Sequence, residues 1–489
     1  MSLSDRIATG VKASLGANLI YSAANGVLMV VLARYLLTPE AFGLLHYALS
    51  IIASVAILGT LGLPSSAARY VTEFAETSPE RVRYVVRFSL LAILGLSVTV
   101  GIVLTATGRT IAVALGDPAL APLLFLGLGY VLTNALYKTF NRLFQSVNRV
   151  DWSARLKTVS GVVRLLAAVG LVLLGFGAAG ALGGYIVGFG LAGAIGAVVF
   201  YRRSYSGFPP STGVEPGLRR RILEYSVPLT ATRGANILYQ RVDTLLVGTL
   251  LGPAAVGYYT IARQVSEFGA IPANSLGYTI SPAVGEQYAS EDLARARRVY
   301  ETSLRHILLL YVPGLVGLVL VAEPTVTQLF GAQYTGAVPV LQVMAGFMLV
   351  TAVNKVTSDG LDFLGRARER AIAKVVTATV NVGLNVLLIT AIGVVGAAVA
   401  TVVTFSAYTL ANVYVIHDEL GLDLRSLGRL LVGVTAISAV MGVIVRLLLP
   451  LISGIVSLLV VVGVGVAVWG VLATLGGLLD VKRVWTMLS

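Results

Sequence analysis

Fourteen long apolar runs limit what this chain can fold into more than any other feature of its sequence. Each run is long enough to cross the hydrocarbon core of a bilayer as a helix, and a helix satisfies its own backbone hydrogen bonds where water is absent. Hydrophobic residues make up 56% of the 489 positions and charged residues only 12%, so we predict an all-α polytopic membrane protein. The predicted spans are residues 14–36, 44–66, 84–106, 119–141, 154–176, 178–200, 222–250, 254–283, 300–322, 336–358, 371–392, 394–416, 427–449 and 454–478.

Basic residues collect in alternate connections between these spans. Such connections hold 28 of the 36 lysines and arginines, whereas the opposite connections hold only Arg34, Arg109 and Arg446. The positive-inside rule then predicts that both termini lie in the cytoplasm, and we expect a multi-pass protein of the plasma membrane. The net charge of +13 therefore indicates topology and attraction to anionic membrane lipid, and nucleic acid is not an expected partner.

An internal repeat divides the chain into two halves of like orientation. Residues 36–48 recur as residues 250–262 with six of thirteen positions identical, and residues 81–98 match residues 295–312 at nine of eighteen. Six spans separate equivalent positions, which indicates a parallel repeat about an axis along the membrane normal, with the substrate site between the halves. The predicted domains are a six-helix lobe at 1–201, a cytoplasmic linker at 202–221, a second six-helix lobe at 222–418 and two additional transmembrane helices at 419–489.

Charged residues inside the predicted spans mark the candidate pathway. A charge at the bilayer centre costs at least about 2.5–3.5 kcal/mol, so such residues face protein or a watery cavity. On a helix, Arg233, Asn236, Gln240 and Asp243 recur at steps of three and four and share one face. The first predicted span carries a comparable polar stripe, which includes Asn18, Ser22 and Asn25. The alternative is that some charges only pair between helices, as Arg263 and Glu267 could do because they are four residues apart.

The residues needed for other chemistries are scarce. The chain contains no cysteine and three scattered histidines, so no metal centre is expected. It contains no P-loop signature, and the outer connections offer chiefly Glu40, Asp117 and Glu323, which lie on separate loops and make a poor acid/base pair. We therefore expect a transporter without a cofactor rather than an enzyme.

Five local motifs indicate a family. The chain contains a Leu-Leu-x-Pro-x-x-x-Gly turn at 36–43 and again at 250–257, together with Phe144-Gln-Ser-Val-Asn-Arg149, Leu364-Gly-Arg366, Asn381-Val-Gly-Leu-Asn-Val386 and Gly393-Val-Val-Gly-Ala-Ala-Val-Ala-Thr401. With these motifs, the fourteen spans and the six-span repeat, the chain resembles the polysaccharide transporter family, which includes the lipid-linked oligosaccharide flippases of the multidrug/oligosaccharidyl-lipid/polysaccharide exporter superfamily.

The resemblance implies two six-helix lobes around a V-shaped cavity that is lined by the first, second, seventh and eighth spans and opens alternately to each side. Its implied substrate is a saccharide linked to polyprenyl phosphate or pyrophosphate, moved from the cytoplasmic to the outer leaflet. Arginine suits the phosphate because it is always charged and can hold two oxygens at once. The expected phosphate ligands are Arg233, Arg241 and Arg263, with Arg34 and Arg69 at span ends. The expected sugar ligands are Asn18, Ser22, Asn25, Asn236 and Gln240.

Ion coupling is a further implication of the resemblance. Asp243, Glu267 and Asp359 could bind H+ or Na+, although Glu267 with Arg263 and Asp359 with Lys355 could instead be structural pairs. Glycosyltransferases of the same pathway are the implied protein partners.

Two rival functions remain open. A cation-coupled drug exporter of the same fold should have a more acidic and aromatic cavity, whereas the stripe here is rich in arginine. A membrane-embedded glycosyl polymerase or ligase should carry paired carboxylates or a histidine on a large outer loop, and the sequence offers no such loop.

Overall fold

A computed structural model gives the fold and describes residues 3–210, 216–273, 292–364 and 366–479; the side chains of residues 3–15, 238, 359, 362, 363 and 367 are outside the description. Every regular element in these ranges is helical, which confirms the all-α prediction. The helices are α1 Leu3–Val31, α2 Pro39–Ala56, α3 Leu63–Thr77, α4 Pro79–Ala114, α5 Ala121–Phe125, α6 Gly127–Ser146, α7 Val150–Leu171, α8 Gly177–Arg203, α9 Leu218–Leu251, α10 Pro253–Gly269, α11 Leu293–Leu320, α12 Ala322–Leu329, α13 Val338–Phe363, α14 Ala367–Ile392, α15 Val394–Leu420, α16 Leu424–Leu448 and α17 Ile455–Leu475.

The described residues contain ten helical segments that are long and apolar enough to cross a membrane, or eleven if the bent α5–α6 pair is one span. One of the ten, Val150–Gly207, has 58 residues and contains both α7 and α8. At 1.5 Å per residue it would be about 87 Å long, so it supplies two crossings of a core about 30 Å thick. The fold is therefore that of a multi-span membrane protein, and the number fourteen stays a prediction.

The repeated Leu-Leu-x-Pro motif forms a tight turn between two helices in each half. In the first copy the Thr38 hydroxyl accepts a hydrogen bond from the Ala41 amide, and Pro39 begins α2. In the second copy Gly252 has a φ of 85°, which a glycine adopts without strain, and Pro253 begins α10. Both copies thus stop one helix and start the next, because proline is well accommodated in the first helical turn.

The chain splits into two compact units, Met1–Ala254 and Ala255–Ser489. These units are defined by contacts in space, whereas the predicted lobes are defined by the internal repeat. The two units therefore neither confirm nor correct the predicted lobes, linker and C-terminal segment.

The core of the first unit lies among α3, α4, α6 and α8. Phe144 packs edge-on against Phe200, with ring centroids 5.5 Å apart, and stacks on Trp152 at 6.1 Å. Helix α9 is fixed to this unit at both ends, because the Ser66 hydroxyl donates to the Ile222 carbonyl at 2.9 Å and the hydroxyls of Tyr47 and Thr249 share a 2.8 Å hydrogen bond.

The core of the second unit lies among α11, α13 and α15, where the hydroxyls of Tyr300 and Thr357 share a buried hydrogen bond of 2.9 Å. Helices α16 and α17 lie in the C-terminal segment. A smaller apolar cluster that includes Met441 and Leu458 joins them, together with Val321 between α11 and α12.

Candidate functional site

Helices α1 and α7 of the first unit carry matching polar stripes. Asn18 and Asn25 are seven residues apart on α1, and Lys157 and Arg164 are seven residues apart on α7. Seven residues are nearly two helical turns, about 10.5 Å, so each pair lies on one face of its helix. Asn18 accepts a hydrogen bond from Lys157 and Asn25 accepts one from Arg164. The two helices are therefore joined by two rungs, which we call the α1–α7 ladder.

Arg164 is the more buried cation of the ladder, with only 3% of its surface exposed. Besides Asn25, it donates to the Tyr21 hydroxyl at 3.4 Å. Its guanidinium lies 4.9 Å from the centre of the Tyr21 ring and 4.8 Å from the centre of the Tyr185 ring on α8. These partners are amide, hydroxyl and aromatic groups, which stabilise a cation through dipoles and ring quadrupoles without neutralising it.

Within the described residues, Arg164 makes no ion pair, and its Nε–H is buried without a hydrogen-bond partner. Burying an arginine without a carboxylate is costly, because the cation loses its hydration and gains no opposite charge in return. A group held at such a cost is a candidate for binding an anion that arrives from outside the protein.

Lys157 forms the second rung of the ladder. Its ammonium lies 4.9 Å from the centre of the Tyr21 ring, on which Arg164 also lies, and it is half-buried. Tyr21 therefore contacts both cations, and they can act on one polyanionic ligand.

A close contact between α7 and α8 fixes the position of Arg164. A Cβ on Gly184 would lie 2.5 Å from the backbone nitrogen of Ala168, and a Cβ on Gly188 would lie 2.8 Å from both the Ser160 carbonyl and the Arg164 Cβ. Only glycine permits this approach, as expected for small residues at membrane helix interfaces.

Helix α9 brings two of the predicted phosphate ligands to the first unit. Arg241 is half-buried and interacts electrostatically with His46, Tyr130 and Tyr185. Tyr185 is also in contact with Arg164, so α9 adds a third positive charge to the region that already holds Lys157 and Arg164. The other arginine, Arg233, interacts electrostatically with Lys138 and Arg142 of α6, and it too lies among like charges.

The remaining predicted residues of the first unit lie outside the ladder. Ser22 and Asn236 are half-buried, Gln240 is exposed, and the Asp243 carboxylate is buried with 3% exposure. Arg34 lies beyond the α-helical part of α1, with its guanidinium 5.8 Å from the Tyr35 ring. Arg69 is exposed on α3 and lies 4.2 Å from the Tyr225 ring.

The other predicted residues belong to the second unit. Arg263 and Glu267 form an ion pair of 2.9 Å within α10, as the structural alternative for these residues anticipates. Asp359 lies on α13, and its side chain is outside the described residues.

The Leu364-Gly-Arg366 motif has a structural contact. Arg366 pairs with Glu419 at the end of α15 and with Glu369 at 3.1 Å. These hydrogen bonds raise the pKa of Arg366, the bond to Glu419 contributing most. The motif therefore ties the start of α14 to the end of α15.

Sequence reasoning identified Asn18 and Asn25 but not the cations that they contact. Both Lys157 and Arg164 lie in the predicted span 154–176, whose polar residues are not among the expected ligands. The usable signal was the shared spacing, because Lys157 and Arg164 are separated by the same seven residues as Asn18 and Asn25.

Comparison with known proteins identifies a family, related sequences and solved structures of similar fold. Residues 31–339 match the family described as Polysaccharide biosynthesis protein. The chain is 27% identical over 195 residues to the probable low-salt glycan biosynthesis flippase Agl15 of Haloferax volcanii, which is 40% of this chain and 41% of that protein. The chain thus spans about two fifths of the length of the first curated relatives that it matches.

Two solved structures share the fold at low identity. The lipid II flippase MurJ in an inward closed conformation superposes with a TM-score of 0.75 and 15% identity, covering 95% of this chain and 98% of that one. An inward-facing multidrug resistance MATE family transporter of the MOP superfamily gives a TM-score of 0.66 and 16% identity, covering 82% and 94%. The match to residues 31–339 spans more than half of the chain, and the chain belongs to the polysaccharide biosynthesis protein family.

Proposed function

We propose that this protein is a flippase that moves a saccharide linked to polyprenyl phosphate or pyrophosphate from the cytoplasmic to the outer leaflet by alternating access. The observation that carries the proposal is Arg164, a cation with 3% exposure and no ion pair among the described residues. A lipid-linked saccharide combines the three features that such a site needs: an anionic phosphate, a polar sugar and a tail that stays in the bilayer.

The phosphate is held by arginines of the first unit. Arg164 and Arg241 both act on Tyr185, so one anion near this tyrosine would be attracted by both. A phosphate oxygen accepts from a guanidinium more strongly than the neutral amide oxygen of Asn25, because both partners are then charged. The arriving phosphate therefore replaces Asn25 on Arg164, and the released amide becomes available to the sugar. Arg233, Arg34 and Arg69 add positive charge along the path, and Asn18, Ser22, Asn236 and Gln240 contribute sugar contacts.

The topology that belongs to this proposal has fourteen spans. Helices α9 and α10 provide the seventh and eighth, and their polar residues lower the hydropathy of these helices because they face the substrate path. The lobes are residues 1–201 and 222–418, joined by the linker 202–221 and followed by the helices of 419–489, with both termini in the cytoplasm of a plasma-membrane protein. Glycosyltransferases of the same pathway supply the substrate.

Coupling to H+ or Na+ is part of the proposal at Asp243. Its carboxylate is buried on α9, and an ionisable residue inside a membrane span is a candidate for a proton or ion pathway. Glu267 forms an ion pair of 2.9 Å with Arg263 within α10, so cation binding there would require this pair to open. Asp359 stays a candidate from the sequence alone.

A drug exporter is the second candidate function, favoured by the likeness to the MATE transporter fold. A cationic drug would have to lie beside Arg164, Arg241 and Lys157. Like charges at close range repel, so these residues favour an anionic substrate.

The test is the leaflet distribution of the lipid-linked saccharide in cells that lack this protein and carry no second flippase. Wild type should restore the saccharide to the outer leaflet. Arg164→Leu and Arg241→Leu should each slow its appearance by at least about tenfold, because each removes a charge-assisted hydrogen bond.

The matched control is Arg109→Leu, which removes an exposed arginine of α4 that lies outside the ladder. It should restore outer-leaflet saccharide as wild type does. An unchanged leaflet distribution in cells without the protein would contradict the flippase proposal. Normal transport by well-expressed Arg164→Leu would instead contradict the phosphate role alone.

A further inference from the structure

A groove lies between α4 and α8 of the first unit, away from the α1–α7 ladder. It has a volume of about 730 Å³, and its apolar wall includes Leu91, Leu94, Phe140 and Val198. Leu91 and Val198 are exposed and belong to segments that are apolar enough to cross a membrane. Exposed apolar side chains in such segments face hydrocarbon, so the wall of the groove suits an acyl chain.

Two arginines give the groove a positive charge. Arg87 of α4 and Arg202 of α8 both line it and are both exposed. Neither makes an ion pair with any residue in the described part of the chain. The neighbouring Arg83, one turn earlier on α4, is already engaged: it donates to the Ser206 carbonyl at 2.9 Å and lies 5.4 Å from the Tyr205 ring.

Two tyrosines lie beside the arginines. Tyr201 and Tyr205 line the groove, and their rings stack with centroids 5.7 Å apart. Tyrosine is enriched where a membrane helix meets the headgroups, because its ring is apolar and its hydroxyl polar. Arg87, Arg202 and these tyrosines thus mark the headgroup level, and the apolar wall extends from it.

We propose that this groove binds one anionic glycerophospholipid, with an acyl chain along the apolar wall and the headgroup phosphate between Arg87 and Arg202. Guanidinium groups on two helices can each donate to phosphate oxygens, and basic pockets between membrane helices bind anionic headgroups in this way. The site is independent of the proposed transport of saccharide, since it shares no residue with the ladder.

The test is lipid binding to the purified full-length protein, measured by native mass spectrometry while phosphatidylglycerol or phosphatidylcholine is added. Wild type should retain one phosphatidylglycerol more tightly than phosphatidylcholine. The double variant Arg87→Ala/Arg202→Ala should bind phosphatidylglycerol about 25-fold more weakly, since each basic residue near the surface contributes about fivefold.

Two further variants separate the groove from general surface charge. Arg109→Ala removes an exposed arginine of the same helix that does not line the groove, and should bind as wild type does. Leu94→Trp keeps both arginines but fills the groove, and should weaken binding by a similar factor to the double variant. Thermal unfolding of each variant confirms that it is folded.

Three results would overturn the proposal. One is equal retention of phosphatidylglycerol and phosphatidylcholine by wild type, which indicates ordinary lipid contact. Another is unchanged binding by Leu94→Trp, which would mean that the lipid headgroup binds to surface charge and that the groove is not needed. The third is co-purification of a polyprenyl-linked saccharide that Arg87→Ala/Arg202→Ala releases, which makes the cargo and not a phospholipid the occupant.

Discussion

Arg164 is a buried cation whose contacts in the described residues are with uncharged groups. Its guanidinium is nearly inaccessible, its Nε–H has no partner in the described residues, and its contacts are Tyr21, Asn25 and Tyr185. Replacing buried charge by an apolar side chain of similar size is often neutral or stabilising. If Arg164 only held helices together, leucine at this position would give equal or greater stability. An arginine that binds an anion cannot be replaced by leucine without loss of that binding.

This difference gives a prediction for Arg164→Leu in the absence of substrate. The free energy of unfolding should stay within about 1 kcal/mol of wild type or increase, because the desolvation cost of the cation disappears. Thermal unfolding of the purified protein in detergent measures it. A loss of several kcal/mol would instead mean that Arg164 is mainly a structural residue.

Asn25→Asp should strengthen the rung between α1 and α7, because it gives Arg164 a permanent carboxylate as its partner. Asparagine and aspartate have nearly the same shape, so the new oxygen can accept from the same guanidinium. An ion pair then replaces a neutral contact, so the buried cation gains an opposite charge and the free energy of unfolding should increase. Saccharide transport should fall at least about tenfold, because the phosphate must now compete with a charge.

Asn354→Asp is the matched control for Asn25→Asp. It makes the same substitution at a half-buried asparagine of α13 in the second unit, whose side-chain oxygen accepts from Ser358 at 3.0 Å and from Asn412 at 3.2 Å. Transport by Asn25→Asp that is as fast as by Asn354→Asp would contradict the idea that the Arg164–Asn25 contact must open.

The sequence predicts part of this site for a physical reason. Periodicity places Asn18 and Asn25 on one face of α1, because the helical period is fixed. It does not say which helix lies opposite, since Lys157 and Arg164 are more than 130 positions away along the chain. The contact depends on tertiary packing, and a single sequence carries little information about which helices pack against each other.

At the scale of elements, the packing of α7 against α8 determines the position of Arg164. The glycines of α8 allow it to pack closely on α7, because a side chain on Gly184 or Gly188 would clash with the α7 backbone. By contrast, the polar stripe of α9 reduces its hydropathy so far that the helix is not among the ten apolar segments. The polar residues that suggest a function for α9 are thus the ones that lower its hydropathy.

Gly184→Ala should destabilise the protein and displace Arg164 together. Its Cβ would lie 2.5 Å from the Ala168 nitrogen, and backbone cannot yield as a flexible side chain can. Overpacking of this kind costs about 1–3 kcal/mol. Gly183→Ala on the same helix is the control, since its Cβ would meet only the end of the Leu171 side chain at 3.0 Å. Thermal unfolding of the two variants should differ by this amount, and equal stability would show that the α7–α8 contact adjusts without cost.

At the scale of the whole molecule, the two halves have diverged where the repeat aligns them. At an offset of 217, Lys157 corresponds to Lys374 and Arg164 to Asn381. Asn381 is buried and donates to the Thr404 hydroxyl at 3.0 Å, so this position of the second half is neutral and satisfied. The repeat predicts similar helices in both halves, but it does not predict similar chemistry, since the position of the buried Arg164 holds an asparagine in the second half.

The orientation in the membrane is the prediction that the absence of cysteine makes easiest to test, because any cysteine introduced is the only one to react. Ser206 follows α8 and Ser453 lies between α16 and α17, and both are exposed. The distribution of basic residues puts Ser206 in the cytoplasm and Ser453 outside. In intact cells a membrane-impermeant maleimide should therefore label Ser453→Cys, and label Ser206→Cys only after permeabilisation.

The reverse labelling pattern would mean that the protein has the opposite orientation in the membrane, and the direction of the proposed transport would then be reversed as well. Labelling of both in intact cells would require an even number of crossings between the two serines, whereas the fourteen-span topology has seven, and would need a different placement of the basic connections.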